Sequence, residues 1–263
     1  TDDADHNAPA DFPHRACMLM TDAPSTDEIE LSVVVPVKNE AENIRILIDE
    51  IDAALEPCGV RYEILYVDDG SDDATLGELV AVGTSNERLR VIRHRTSAGQ
   101  STAVLTGVRH ARGIWIATLD GDGQNDPADI PKLLEKRGDP LLLLAGWRAH
   151  RKDTAYYRFQ SRIANRVRSA LLGDATPDTG CGLKLFNAET FLRLPHFDHF
   201  HRFLPALFIR AGGSVESVIV NHRPRLRGAS KYGLMNRLWV GIVDIFGVMW
   251  LKSRPVQPDI LPG

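Results

Sequence analysis

The sequence predicts an α/β protein in which helices flank a mostly parallel, Rossmann-like sheet. From residue 31 onward, short runs of β-branched residues alternate with segments of helical periodicity, as in a parallel sheet with crossover helices. The chain has 263 residues, of which 43% are hydrophobic and 25% charged, which is ordinary for a globular protein. This length suits one large domain, or a domain with an appendage.

Apolar periodicity predicts the first five strands at residues 31–37, 62–67, 89–93, 114–119 and 141–145. Asn39, with Glu42 three residues later, is expected to cap the helix after the first strand. Residues 100–111 are expected to form a helix, and Asp126-Pro127 to begin another.

Beyond Trp147 the same patterns predict helices at residues 155–172 and 201–211, strands at 183–186 and 215–220, and a final apolar helix. We therefore expect three regions: a flexible tail at residues 1–28, a folded domain at 29–232, and a C-terminal amphipathic helix with a tail at 233–263.

Charge and cysteine content argue against several classes of protein. A formal net charge of -4 argues against a general nucleic-acid binder, which would carry an excess of Lys and Arg. The cysteines Cys17, Cys58 and Cys181 are odd in number and far apart, so they indicate neither a disulfide framework nor a zinc site and favour a reducing compartment. No apolar run reaches the ~18 residues of a membrane-spanning helix, and no secretory signal opens the sequence.

Acidic loops follow three of the predicted strands, at residues 36–40, 68–71 and 120–124. Ligands of an open parallel sheet bind at the carboxyl ends of its strands, where such loops converge. Residues i and i+2 of an extended segment point the same way, so Asp120 and Asp122 can present two carboxylates to one hard cation, with Gln124 adding a neutral oxygen. An Asp-x-Asp also arises in surface turns, and Ser71 beside Asp68-Asp69 is equally suited to cap a helix.

Three segments resemble the family 2 glycosyltransferases: residues 34–40 (VVPVKNE), 67–71 (VDDGS) and 120–127 (DGDGQNDP). Three others resemble the polyprenyl-phosphate branch of that family, which includes dolichol-phosphate mannose synthases: residues 146–148 (GWR), 178–186 (DTGCGLKLF) and 228–232 (GASKY). The resemblance covers about residues 31–252.

This resemblance implies a GT-A fold for residues 29–232, inversion at the anomeric carbon, and Mg²⁺ or Mn²⁺ as cofactor. It implies metal binding by Asp120, Asp122 and Gln124. It implies nucleotide-sugar binding by Pro36, Lys38, Glu40, Asp68, Asp69 and Asp120. The loop at residues 97–100 is similar to an N-x-G-type loop of the family, but Ser97 replaces the usual Asn, so no role is assigned to it.

Basic residues in the second half favour a lipid phosphate as acceptor. A phosphate monoester, with a second pKa near ~6, is largely dianionic at neutral pH and needs positive charge rather than a general base. Arginine forks suit its oxygens, although any single Arg is equally compatible with a solvated basic face. The candidate phosphate ligands are Arg148, Arg225, Ser230 and Lys231. The candidate catalytic residues are Asp120, Asp122, Arg148 and Asp178, the last of which is equally suited to cap a turn.

The final helix has a broad apolar face that suits a membrane interface. Trp239 and Phe246 lie on that face, and Lys252 and Arg254 flank it. We therefore expect peripheral attachment to the cytoplasmic face of the membrane. A core or dimer helix is the alternative, which makes a second copy of the chain a further candidate partner.

The sequence as a whole predicts metal-dependent, inverting transfer of a sugar from a UDP- or GDP-sugar to a polyprenyl or dolichyl phosphate. One alternative is a family 2 enzyme that acts on a saccharide or lipid hydroxyl. Another is a non-catalytic nucleotide-sugar-binding protein, because a fold alone does not establish activity.

Overall fold

The computed structural model of the chain describes residues 28–149, 168–169, 171–224 and 234–254, without the side chains of residues 234–240 and 242. Most of the predicted tail and of the helix at 155–172 lies outside these residues. So do Arg225, Ser230 and Lys231.

The described strands form one seven-stranded sheet in the order β3-β2-β1-β4-β6-β5-β7. They are β1 (Leu31–Val37), β2 (Tyr62–Asp68), β3 (Leu89–Arg93), β4 (Trp115–Thr118), β5 (Leu142–Trp147), β6 (Lys184–Asn187) and β7 (Ser214–Ile219). Only β6 runs antiparallel to its neighbours β4 and β5. The predicted mostly parallel α/β fold is therefore confirmed.

The α-helices among the described residues are α1 (Ile44–Leu55), α2 (Thr75–Gly83), α3 (Gln100–His110), α4 (Ile130–Leu134), α5 (Ala188–Arg193), α6 (Leu204–Arg210) and α7 (Leu234–Lys252). The helix predicted at residues 201–211 is divided into a 3₁₀ turn, Phe200–Arg202, and α6. Pro205 lies in the first turn of α6, where its missing N–H leaves no hydrogen bond unmade.

The predicted cap at Asn39 is wrong. Its side chain is paired with Asp72: Nδ2 donates to Oδ1 at 2.5 Å, and Oδ1 accepts from the Asp72 backbone N–H at 3.0 Å. A 3₁₀ turn, Ala41–Asn43, leads into α1 instead. A contact between two loops thus replaces the local cap. The cap predicted at Asp126 is confirmed, because its carboxylate accepts from the Ala128 N–H.

Apolar residues on the two faces of the sheet pack into separate clusters. Val33 and Val35 of β1 contribute to the cluster that contains the buried side of α1, whereas Val34 contributes to the cluster with α3, α5 and α6. Successive side chains of a strand point to opposite faces, so β1 is apolar on both. The sheet is consequently covered on both faces and is open to ligands at its strand ends.

The chain order changes direction next to β1. β2 and β3 lie on one side of it and β4 on the other, which opens a crevice between the carboxyl ends of β1 and β4. The loop after β4 approaches β1 closely: a Cβ at Gly121 would lie 2.3 Å from Val37 Cγ1. The Asp120–Gln124 loop therefore sits in this crevice.

Helix α7 presents an apolar stripe to solvent. Val243 is 56% exposed, Phe246 64% and Trp250 60%, and their spacing places them along one side of the helix. Val248 is buried against the body of the protein. None of the helices in the described residues is long and apolar enough to cross a bilayer.

Replacing Phe186 with Ala should lower the free energy of unfolding by about 3–5 kcal/mol, because it leaves a cavity in the core. Phe186 is fully buried, and its ring stacks on Phe191 at 4.8 Å. Urea unfolding measures the loss, with Leu192→Ala as control because that side chain is 41% exposed. Equal losses in the two variants would contradict this packing.

Candidate functional site

The carboxylate of Asp120 lies against the backbone of the segment before β6. A Cβ at Gly182 would lie 2.3 Å from Asp120 Oδ2, so no residue but glycine fits there without a shift. Gln100 Nε2 donates to Asp120 Oδ1 at 2.8 Å, and the Asp120 backbone N–H donates to Asn125 Oδ1 at 3.1 Å. Asp120 is thus held by α3, by its own loop and by the segment before β6.

Asp122 is near enough to Asp120 to influence its ionisation. Burial and the charge of Asp122 raise the pKa of Asp120, while Lys184 and Arg148 oppose the shift. Asp122 Oδ1 also accepts from the Gln124 backbone N–H at 3.1 Å, which tightens the loop.

The oxygen donors of this loop fit Mg²⁺ or Mn²⁺. Hard divalent cations prefer carboxylate and carbonyl oxygens and are often held by one or two carboxylates together with substrate phosphates. Nowhere in the described ranges do three or more His, Cys, Asp or Glu side chains group to hold a metal. The two carboxylates and the amide oxygen of this loop are thus of the chemical type that holds part of such a cation's coordination shell.

Asp69 is surrounded by hydrogen-bond donors from one loop. Oδ1 accepts from His94 Nδ1 at 2.7 Å and from the Ala98 N–H at 2.8 Å; Oδ2 accepts from Ser97 Oγ at 2.6 Å and from the Gly99 N–H at 2.9 Å. Burial alone would raise the pKa of Asp69, but these bonds outweigh burial and lower it. Asp69 thus fixes the loop that leads into α3, and Ser97, to which the sequence assigned no role, is one of its donors.

The other predicted nucleotide residues lie in interlocked loops at the ends of β1 and β2. Ser71 Oγ accepts from the Asn39 N–H at 2.9 Å and does not cap α2, whose N-cap is Ala74. Asp68 is buried and accepts from the Ser71 N–H at 2.9 Å. Glu40 accepts from Asn43 Nδ2 at 2.8 Å. Pro36 is half-buried at the end of β1, and Lys38 is exposed.

Arg148 and Asp178 form a bidentate ion pair. Arg148 Nε donates to Oδ2 at 2.7 Å and Nη2 to Oδ1 at 2.9 Å. Burial opposes the charge of Arg148, but the hydrogen bond and charge of Asp178 raise its pKa above the usual value. Asp178 therefore orients the guanidinium, and the two predicted catalytic residues act as one unit.

Two residues that sequence reasoning missed belong to the same region. Lys184 is buried and donates to the carbonyls of Thr179, at 3.3 Å, and Cys181, and burial lowers its pKa. His201 Nδ1 lies 2.7 Å from Ser101 Oγ, and burial lowers the pKa of His201 to about 3, so it is neutral at physiological pH. Lys184 lies in the matched segment 178–186, but no local pattern marks a buried lysine as part of a site.

A cavity of about 390 Å³ joins these groups at the carboxyl ends of β4 and β5. Of the predicted residues that the structure describes, it brings together Asp120, Arg148 and Asp178; Asp69 and Glu40 lie in the adjacent loops. The polar side chains that line it include Gln100, Asp120, Arg148, Asp178, Lys184 and His201.

Replacing Asp69 with Asn should destabilise the protein most above about pH 4. A carboxylate whose pKa is lowered by folding contributes stability that is fully present above its unfolded pKa of ~3.9 and is lost as the pH falls through the folded pKa. Urea unfolding between about pH 2 and 7 measures the difference from wild type. The exposed Asp49→Asn on α1 is the control. A difference that grows on acidification would contradict the hydrogen-bonded carboxylate.

Sequence comparison places the chain in a family. The family described as "Glycosyl transferase family 2" matches residues 32–195. The dodecaprenyl-phosphate galacturonate synthase of Rhizobium johnstonii is 38% identical over 237 residues, which cover 88% of this chain and 69% of the relative. The undecaprenyl-phosphate 4-deoxy-4-formamido-L-arabinose transferase of an Enterobacter species is 35% identical over 208 residues, or 78% of this chain and 63% of the relative. The chain thus spans about two thirds of their length.

Solved structures share the fold at low sequence identity. Glucosyl-3-phosphoglycerate synthase from Mycobacterium tuberculosis, in complex with UDP, is 17% identical with a TM-score of 0.61 over 85% of this chain and 80% of that one. A mannosyltransferase from Pyrobaculum calidifontis, in complex with GDP-Man and Mn²⁺, is 20% identical with a TM-score of 0.59 over 87% and 65%. Together with the motifs and the sheet order, these matches show that the chain is a glycosyltransferase of the GT-A fold and belongs to glycosyl transferase family 2.

Proposed function

We propose that this glycosyltransferase moves a sugar from a UDP- or GDP-sugar to a polyprenyl phosphate, with inversion at the anomeric carbon and with Mg²⁺ or Mn²⁺. The observation that carries the proposal is the cavity in which Asp120 and the Arg148–Asp178 pair face one space. Two relatives above 30% identity support the acceptor, because both are named for a polyprenyl phosphate. Structural neighbours that hold UDP, or GDP-Man and Mn²⁺, support the donor and the metal.

On the donor side, the loops after β1, β2 and β4 would bind the nucleotide and its diphosphate. The bound metal would supply positive charge that stabilises the departing diphosphate. Asp120, Asp122 and Gln124 would hold it. Asp69 supports this side by fixing the loop before α3, whose Gln100 orients Asp120. The proposed nucleotide-sugar ligands are Pro36, Lys38, Glu40, Asp68, Asp69 and Asp120.

On the acceptor side, Arg148 would meet the lipid phosphate. An arginine has five N–H donors in a rigid fork, and Asp178 sets the plane of that fork through two of them. Asp178 also offsets the charge of Arg148, so a dianionic phosphate needs further donors. Arg225, Ser230 and Lys231 are proposed to provide them.

The chemistry is a direct in-line displacement. An oxygen of the lipid phosphate attacks the anomeric carbon, the bond from that carbon to the nucleoside diphosphate breaks, and the configuration inverts. The attacking oxygen carries no proton when the phosphate is dianionic, so this chain needs no general base for the step. The task of the protein is to orient the two substrates and balance their charges.

The exposed stripe on α7 would place the enzyme where its lipid substrate resides. Val243, Phe246 and Trp250 can enter the headgroup region of a bilayer, and Arg254 lies 6.0 Å from the Trp250 ring. We therefore propose peripheral attachment to the cytoplasmic face of the membrane.

A panel of UDP- and GDP-sugars, UDP-galacturonate included, tests the proposal with polyprenyl phosphate and either metal. The expected product is a lipid-linked sugar that mild acid releases, because a glycosyl phosphate is acid-labile. Saccharide and lipid alcohols are offered in parallel reactions, and an acid-stable glycoside formed on one of them would instead identify a hydroxyl acceptor. Binding of donor and metal without turnover on any lipid phosphate would identify a nucleotide-sugar-binding protein.

Replacing Asp122 with Ala should lower turnover about 100-fold or more at saturating donor, because a proposed ligand of the leaving-group metal is lost. The variant should unfold at nearly the wild-type urea concentration. The control is Asp49→Ala, which removes an exposed carboxylate from α1. Near-normal rates with Mg²⁺ present would contradict the assignment of Asp122 as a metal ligand.

Replacing Lys231 with Ala should raise the KM for polyprenyl phosphate about tenfold or more, because a charge-assisted hydrogen bond is lost. The affinity for the nucleotide-sugar, measured by titration calorimetry, should stay the same. Arg193→Ala, which removes an exposed cation from α5, is the control. An equal loss of nucleotide affinity would indicate that Lys231 binds the nucleotide-sugar and not the acceptor phosphate.

A further inference from the structure

Arg223 is the first cation of the basic segment at residues 223–231, but its guanidinium is held by the protein itself. Nη1 donates to both carboxylate oxygens of Glu50 on α1, at 2.7 and 2.8 Å, and Nη2 donates to Asp126 Oδ1 at 2.5 Å. One positive charge thus faces two negative charges. The side chain is 32% exposed, and both acids raise its pKa although burial opposes them. The positive charge that would attract a phosphate is therefore already offset by two carboxylates.

The backbone around Arg223 pairs with the end of the Asp120–Gln124 loop. The Arg223 N–H donates to the Gln124 carbonyl at 3.1 Å, and Asn125 and His222 form an isolated antiparallel bridge. The Asn221 N–H donates to Asp129 Oδ2 at 2.6 Å. Residues 221–223, which follow β7, are therefore joined to residues 124–126, which follow the two carboxylates of the proposed metal site.

Asn125 links the segment at residues 221–223 to Asp120. It is buried, and its Oδ1 accepts from the Asp120 backbone N–H at 3.1 Å. Gln124, whose carbonyl accepts from Arg223, also donates its N–H to Asp122 Oδ1. Each of the two acids is therefore linked to residues 221–223 through one intermediate residue. Asp120 is linked through Asn125, and Asp122 through Gln124. A shift of residues 221–223 would move both.

We propose that Arg223 is a positioning residue, which sets the geometry of the metal-binding loop through Asp126 and Glu50 and does not bind the acceptor phosphate. The inference rests on the proposed role of Asp120 and Asp122 as metal ligands. The cations of residues 223–231 then have two different roles. Arg223 supports the donor and metal site, whereas Arg225 and Lys231 are the ones proposed to bind the acceptor phosphate.

The inference is tested without turnover by Mn²⁺ binding to the full chain in the presence of UDP and, separately, of GDP. The EPR signal of free Mn²⁺ measures this binding. Arg223→Ala should weaken Mn²⁺ binding about tenfold or more, as the loss of partners that orient metal ligands typically does. Arg223→Lys, which keeps the charge but not the fork, should restore part of the affinity. Arg88→Ala is the matched control and should bind normally, because Arg88 pairs with Asp52 and Glu56 near the C-terminal end of α1 and, among the described residues, has no hydrogen bond or ion pair with the Asp120–Gln124 loop.

Kinetics separate positioning from acceptor binding. In Arg223→Ala the Mn²⁺ concentration for half-maximal rate should rise, while the KM for polyprenyl phosphate at saturating Mn²⁺ should not. If the variant fails to fold, Glu50→Gln should show a smaller loss of Mn²⁺ affinity in the same direction. Normal Mn²⁺ affinity in both variants, or a raised KM for the acceptor alone, would overturn the inference and leave the proposed function intact. A wild-type chain that binds no Mn²⁺ with either UDP or GDP would overturn both.

Discussion

The balance of charge around Asp120 is the constraint on which the rest of the site depends. Its carboxylate is partly buried and lies near that of Asp122, and both conditions disfavour ionisation. Lys184 and Arg148 offset them, and each is fixed in turn: Arg148 by Asp178, and Lys184 by two backbone carbonyls. A divalent cation would complete the balance. The segment from Asp178 to Lys184 thus supplies one counter-charge, fixes the other through Asp178, and leaves space for the Asp120 carboxylate at Gly182.

The antiparallel strand β6 explains how this segment reaches the site. Lys184, its first residue, pairs with Thr118 at the end of β4 and with Ala145 near the end of β5. A parallel strand would have placed its first residue at the opposite edge of the sheet. The reversal brings residues 178–184 to the edge where the loops of β1, β2 and β4 already converge. That change of direction therefore lets residues of the 178–184 segment line the cavity.

The sequence predicted what depends on neighbouring residues and missed what depends on distant ones. Strand and helix periodicity and the Asp120–Asp122 spacing are local, and they led to the fold and to the core of the candidate site. The cap expected at Asn39 failed because Asp72, 33 residues away, offered a better pairing. The ion pair of Arg223 was not predicted either, because its partner Glu50 lies 173 residues away. The sequence likewise cannot show that β6 runs antiparallel.

We propose above that the loops after β1, β2 and β4 form one donor site, with a metal at Asp120 and Asp122. A crystal structure with UDP and Mn²⁺, with the metal located by anomalous scattering, tests it most directly. The expected result is a Mn²⁺ peak at roughly 2.0–2.3 Å from carboxylate oxygens of this pair, shared with the diphosphate. A diphosphate bound elsewhere, or a Mn²⁺ peak that neither carboxylate contacts, would contradict it.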